Sequence, residues 1–177
     1  MSHLTPKIVL VSKDGKIFTV EKEVVMKSVV LANIISESLN INEDDQDDDD
    51  QIPQDIEIPV SNVDSVTLKL VLQWLEHHVN TDFDGKDKEI GIDENTTVPA
   101  WDKNFLQVDD STLYEIMLAA NYLNIKPLLD ICCKLVAEKI KQMSYSEIRT
   151  QFNITKQFNK EEAEAIKREN EWAVDVI

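Results

Sequence analysis

The sequence predicts an α+β fold, and three observations carry that reading. First, Lys7-Ile-Val-Leu-Val11 and Ile17-Phe-Thr-Val20 flank Asp14-Gly15, a dipeptide suited to tight hairpin turns. Second, Ile56-Glu-Ile-Pro-Val60 alternates apolar and polar residues like a short strand. Third, the chain from Asp109 onward reads as almost unbroken helix.

The first half alternates helices with acidic loops. Val24, Val25, Ser28, Val29, Leu31, Ala32, Ile34 and Ile35 fall in a helical stretch to about Leu39, whose apolar residues are dense enough for burial on more than one side. Residues 43–50 hold seven acids in eight positions, which predicts a solvated loop kept open by self-repulsion. The run lacks the spaced ligands, central Gly and late Glu of a calcium loop. Asp64 is placed to cap a helix running to about His78, with Val66, Leu70, Val71, Trp74 and Leu75 as its apolar stripe. Residues 80–100 hold two of the three glycines and six acids, and predict a second solvated loop.

The second half divides at its caps and breakers. Trp101 to Val108 reads as a short, turn-rich piece. A helix follows from Asp109 to Leu123, with Leu113, Ile116, Met117, Ala120 and Leu123 on one face and capping-box spacing at Thr112 and Glu115. Asn124 interrupts the run, and Pro127 suits the first turn of the next helix, which continues to about Gln142. Ser144 and Glu147 form a capping box opening a helix to Phe152, and Asn159 opens a last helix reaching Trp172.

Composition limits the function classes. The 177 residues carry 18 basic and 34 acidic side chains, a net charge of −16. Neither nucleic acid nor an anionic membrane favours such a surface, so neither is expected as a direct partner. The N-terminal residues hold no signal-like apolar run, and no segment approaches the ~18 apolar residues of a membrane span. The only two cysteines, Cys132 and Cys133, are neighbours on a helix and point about 100° apart, which argues against a bridge between them and for a reducing compartment. The N-x-[ST] matches at Asn95 and Asn153 are then chance.

Chemistry is hard to build from these residues. With three glycines the chain holds no phosphate loop or dinucleotide motif. The histidines are His3, His77 and His78, and no Cys-x-x-Cys exists, so no metal set assembles at normal spacing. Cys132 and Cys133 lie in a strongly apolar helix and read as inert core or interface rather than as nucleophiles. No catalytic residue, cofactor or metal is expected.

The informative element is the helix from Pro127 to Gln142. At 100° per residue, Leu128, Ile131, Cys132 and Leu135 share one face, while Leu129, Cys133, Val136, Ala137 and Ile140 share another. The apolar arc spans roughly 240°, against the stripe of about 100° or slightly more that an ordinary surface helix shows. One face can enter the domain core while the other needs cover. That cover is either the chain's own C-terminal helices or a partner helix. The tail carries Ile148, Phe152, Ile154, Phe158, Ile166 and Trp172 among charged residues, and could help wall a groove for an amphipathic helix.

Six segments resemble the Skp family of ubiquitin-ligase adaptors. They are Ile8-Val-Leu-Val-Ser-Lys-Asp-Gly, Gln73-Trp-Leu-Glu-His-His, Trp101-Asp-Lys-Asn-Phe-Leu-Gln-Val-Asp, Leu118-Ala-Ala-Asn-Tyr-Leu-Asn-Ile-Lys-Pro-Leu-Leu-Asp, Glu147-Ile-Arg-Thr-Gln-Phe-Asn-Ile and Lys167-Arg-Glu-Asn-Glu-Trp. They span nearly the whole chain in family order. The resemblance implies a BTB/POZ-like domain over residues 1–125, with acidic loops near 40–55 and 80–100, and a helical extension over 126–177.

It also implies a role: a non-enzymatic adaptor in SCF (Skp-cullin-F-box) ligases, joining F-box proteins to the cullin N-terminal domain for protein degradation in the cytoplasm and nucleus. The family offers a second role, as an F-box-binding scaffold in kinetochore or vacuolar-ATPase assembly complexes. Carried over by position, Leu129, Cys133, Val136, Ile140, Phe152, Ile154 and Trp172 would face the F-box, and Asn121 and Tyr122 the cullin. Tyr122 also reads as a partly buried core residue, and Asn121 as a helix C-cap. An unpartnered groove would favour a weak homodimer. The sequence departs from the family at Ser61, at Ser144-Tyr145 and in the apolar ending Ala173-Val-Asp-Val-Ile177.

Overall fold

A computed structural model of the chain describes residues 7–38, 57–81, 97–156 and 158–170. The 43–50 run, most of the 80–100 stretch, Asn95, Trp172 and the last five residues, all given expectations above, fall outside these. The chain forms two compact units, Met1–Ala137 and Glu138–Ile177. The first extends beyond residue 125 because Leu128, Ile131 and Cys132 belong to its core.

The first unit opens with β1 (Lys7–Ser12) and β2 (Ile17–Glu21), antiparallel, with Ile8 opposite Val20 and Leu10 opposite Phe18. Gly15 takes a φ of +77° in the turn, a conformation that side chains with a Cβ resist. β3 (Glu57–Val60) runs parallel to β1 on its other side, giving the order β2-β1-β3. Ile8, Leu10, Ile58 and Val60 point into the core, as period-two alternation requires.

The expected single helix after β2 is two helices, α1 (Lys22–Val25) and α2 (Val29–Ser38). Ser28 accounts for the break. Its hydroxyl accepts the Leu31 N–H at 3.2 Å in the manner of an N-cap, and donates to the Leu123 carbonyl at 2.6 Å. Buried Leu31 and Ile35 then anchor α2 to the core.

α3 (Ser65–His77) starts where Asp64 accepts the Val66 and Thr67 N–H groups. Its buried stripe is Leu68, Val71, Leu72 and Leu75, the i, i+3, i+4, i+7 spacing. Val66, expected on the stripe, is 67% exposed, because it sits about 200° from Leu68 around the helix. Trp74 is buried on another side, where α4 (Ala100–Phe105) covers it and Asp102 accepts its indole N–H at 2.7 Å. This α4 is a formed helix where a turn-rich piece was expected. His77, Trp101 and Phe105 stack at its surface, with ring centroids 3.6 and 4.8 Å apart.

α5 (Asp110–Tyr122) packs against α3. Its cap is Asp109, which accepts the Thr112 N–H at 3.1 Å; Thr112 sits inside the first turn and does not cap it. The predicted face of Leu113, Ile116, Met117, Ala120 and Leu123 is buried or half-buried. The helix closes on Asn124, whose φ of +51° lets Ile125 N–H reach the Ala120 carbonyl at 2.8 Å. α6 (Lys126–Lys141) follows at once.

The second unit contains α7 (Tyr145–Gln151) and α8 (Lys160–Glu169), each opened by a complete capping box, Ser144 with Glu147 and Asn159 with Glu162. α8 ends at Glu169 rather than running to Trp172.

Candidate protein-docking surfaces

The first surface is the outer face of α6. The two faces read from the sequence separate in part, since Leu129 and Val136 of the outer face also pack against the core. Leu128, Ile131 and Cys132 are buried and Leu135 half-buried, so one face belongs to the core of the first unit. On the other, Leu129 and Val136 are half-buried and Cys133 and Ala137 are exposed. Ile140, half-buried, continues this face in the last turn of the helix. The amphipathic rule fails here because five apolar positions occupy the side that would ordinarily carry charge.

Among its described residues the second unit offers exposed apolar side chains. Neither α7 nor α8 buries a residue. Phe152 is 43% exposed and Ile154 44%, with Phe158 and Ile166 exposed as well. Asn153, at a φ of +50°, turns the chain out of α7, and Ile154 N–H donates back to the Arg149 carbonyl at 2.8 Å. Asparagine is one of the residues that tolerate such a left-handed turn. Trp172, assigned to the same surface, lies outside the described residues.

A third surface lies on α5 and the start of α3. Tyr122 is half-buried and packs on the core, and it also lines a shallow cavity with Asn62, Val63, Asp64, Thr67, Glu115, Leu118 and Ala119. The reading of Tyr122 as a partly buried core residue fits this placement. Asn121 is exposed beside it and lies inside the last turn of α5, its backbone carbonyl taking the Asn124 N–H at 3.1 Å; the C-cap is Leu123, not Asn121 as the sequence suggested. Leu118, one turn before Tyr122, is 61% exposed and was not picked out from the sequence as a surface residue. Its signal was available: an apolar residue off the buried stripe of its helix.

Nucleophilic chemistry finds no support at the two cysteines. Burial, then the neighbouring Cys133 and Asp102, pushes the Cys132 thiol up to about 12. Burial and Asp130 also raise Cys133, whose Sγ lies 3.8 Å from the Met117 sulfur. A reactive thiol needs the opposite shift. Among the described residues no group of three or more His, Cys, Asp or Glu could hold a metal, and no helix is long and apolar enough to cross a membrane.

Comparison with known proteins bears on both units. A family model described as Skp1 family, tetramerisation domain, matches residues 6–80, and one described as Skp1 family, dimerisation domain, matches 126–173. The first is a POZ-type model, in keeping with the BTB/POZ-like expectation. The chain is 40% identical over 171 residues to "Suppressor of kinetochore protein 1" of Schizosaccharomyces pombe, covering 96% of this chain and 98% of the relative. It is 42% identical over 173 residues to "E3 ubiquitin ligase complex SCF subunit sconC" of Arthroderma benhamiae, covering 97% and 98%. The protein of that name from Aspergillus fumigatus is 41% identical over 166 residues, covering 94% and 97%. Matches of this length and identity, together with the two family models, make the chain a member of the Skp1 family.

Proposed function

We propose that the chain is the adaptor subunit of an SCF-type E3 ubiquitin ligase, holding an F-box substrate receptor and a cullin scaffold on separate surfaces. The observation that carries this reading is the second apolar face of α6. Leu129, Cys133, Val136 and Ile140 are left partly or fully open to solvent on a helix whose other face is core. An amphipathic helix of a partner is the natural cover for such a face. In this reading the F-box also contacts Phe152 and Ile154, exposed on the second unit, and Trp172. Asn121 and Tyr122 face the cullin, and exposed Leu118 joins them.

The relatives named as SCF subunits support the role, since they share nearly the full length of this chain. The chain itself performs no chemistry. It raises the effective concentration of substrate near a ubiquitin donor held elsewhere in the assembly. Its net charge of −16 steers basic partners toward it and keeps it off nucleic acid. It works in the cytoplasm and nucleus, and free of an F-box partner it forms at most a weak homodimer. The relative named for a kinetochore favours a second reading, in which the same F-box surface serves a non-ligase scaffold.

Co-purification tests the reading. The chain is co-expressed with an F-box segment, and separately with a cullin N-terminal domain, as wild type, Val136→Lys and Tyr122→Lys. The expected result is that Val136→Lys loses only the F-box segment and Tyr122→Lys only the cullin. F-box capture without cullin capture by the wild type favours the scaffold reading. Capture of neither removes the adaptor role.

A further inference from the structure

The F-box-facing side chains of the second unit sit on a short, exposed segment. Phe152 and Ile154 are both more than two-fifths exposed, and neither flanking helix buries a residue. Such a segment would sample many conformations and lose that freedom on binding, at a cost to affinity. Yet one residue, Arg149, ties it down at three points. The Arg149 carbonyl accepts the Ile154 N–H at 2.8 Å. Its Nη2 donates to the Lys156 carbonyl at 2.7 Å. Its Nη1 donates to the Tyr145 hydroxyl at 3.1 Å, and its guanidinium carbon lies 5.6 Å from the centre of the Tyr145 ring.

We infer that Arg149 is a positioning residue for docking: a strap that runs from the first turn of α7 to the Lys156 carbonyl and holds Phe152 and Ile154 in their partner-facing arrangement before the partner arrives. The inference rests on the F-box reading above and adds a residue to it that is not itself a contact. The left-handed Asn153 turn and the Ile154-to-Arg149 bond close α7 by backbone alone. They do not reach residue 156. The Arg149 side chain spans from α7 to the Lys156 carbonyl, and it uses two different donors of the planar fork to join Tyr145 to that carbonyl. A lysine carries one ammonium in place of the fork and can hold one of these acceptors at a time in this geometry.

The test compares the full chain with Arg149→Met, Arg149→Lys and Ile154→Ala. Two readouts are taken: the dissociation constant for an F-box segment, and amide exchange at residue 154 in the free chain. Arg149→Met is expected to weaken F-box binding about tenfold and to speed exchange at this amide, with cullin binding unchanged. Arg149→Lys is expected to fall between Met and wild type in both readouts. Ile154→Ala, which removes a contact and leaves the strap, is expected to weaken binding without loss of protection at residue 154. Wild-type affinity in Arg149→Met overturns the inference. So does weakened binding with unchanged exchange, which would make Arg149 a direct partner contact. If the wild type captures no F-box segment, the functional reading falls and the docking role of Arg149 with it. That failure is distinct, because it appears before any substitution is made.

Discussion

Asp14 and Ser65 join the hairpin turn to the start of α3. The Asp14 carboxylate accepts the Ser65 N–H at 2.7 Å through Oδ1 and the Ser65 hydroxyl at 2.6 Å through Oδ2, and also takes the Ser12 hydroxyl at 2.8 Å. It thus fixes a turn of the sheet against a helix start 51 residues away. Ser65 and Ser12 hold the carboxylate down to about 2, against an ordinary 3.8. A carboxyl group whose pKa is lower when folded stabilises the fold above its unfolded value and loses that contribution as pH falls through its folded value. The contribution of Asp14 is therefore complete above about pH 4 and disappears toward pH 2. Asp14→Asn is expected to lower the urea midpoint at pH 7, with the gap to wild type closing as pH falls through this window. A gap that stays constant with pH would assign the loss to shape rather than charge.

Ser28 and Leu123 make a second long tie, this one buried. The hydroxyl of Ser28 has 0% exposure and bridges the start of α2 to the end of α5. Ser28→Ala leaves the Leu31 N–H and the Leu123 carbonyl without that partner in a site closed to water. The expected cost is about 1–3 kcal/mol, read from urea unfolding followed by far-UV circular dichroism. Ser28→Cys is expected to recover little, since sulfur is a weak donor and acceptor.

These two ties mark where the sequence could and could not be read. The hairpin, β3, the α5 face and both C-terminal capping boxes follow from local rules: a turn dipeptide, alternation, or a cap three residues from its acid. The break at Ser28 was missed because its partner, Leu123, is 95 residues away and no local pattern reports it. The helix over Ala100–Phe105 was missed for the same reason, since its anchor is the distant Trp74. Val66 was misassigned because two overlapping stripes fit the α3 sequence, and only packing selects the one through Leu68. The two faces of α6 were legible because 240° of apolar surface, in rough terms, exceeds what one core can cover. What covers the outer face is not a local property, and the resemblance to a family supplied that step.

The paired cysteines give opposite outcomes on one helix. Cys132 is fully buried, with its thiol pushed up to about 12, while Cys133 is exposed. A chromogenic disulfide reagent at pH 8 is expected to titrate about one thiol in the native chain and both after unfolding. Cys133 is also expected to react more slowly than a free cysteine, because its raised pKa reduces the thiolate fraction. With an F-box segment bound, the native thiol should become protected. Reaction of Cys133 faster than free cysteine would reopen the case for thiol chemistry in this chain.

Asp102 and Trp74 provide the last test, of how α4 is attached. Asp102 is 1% exposed, accepts the buried Trp74 indole N–H at 2.7 Å and lies 3.4 Å from His78 Nε2. Trp74 also stacks on His78, with centroids 4.1 Å apart. Asp102→Ala removes the acceptor from a buried donor and opens space beneath α4, which predicts a loss of about 2–4 kcal/mol. Trp74→Phe keeps most of the ring packing and takes one donor from a buried carboxylate that still has His78 beside it, which predicts a smaller loss. Because each single change already breaks the shared hydrogen bond, the double variant should lose less than the sum of the two. A coupling of about 1–2 kcal/mol from the cycle is the expected result. Strict additivity would mean that other groups satisfy both partners and that this bond does not hold α4 to α3.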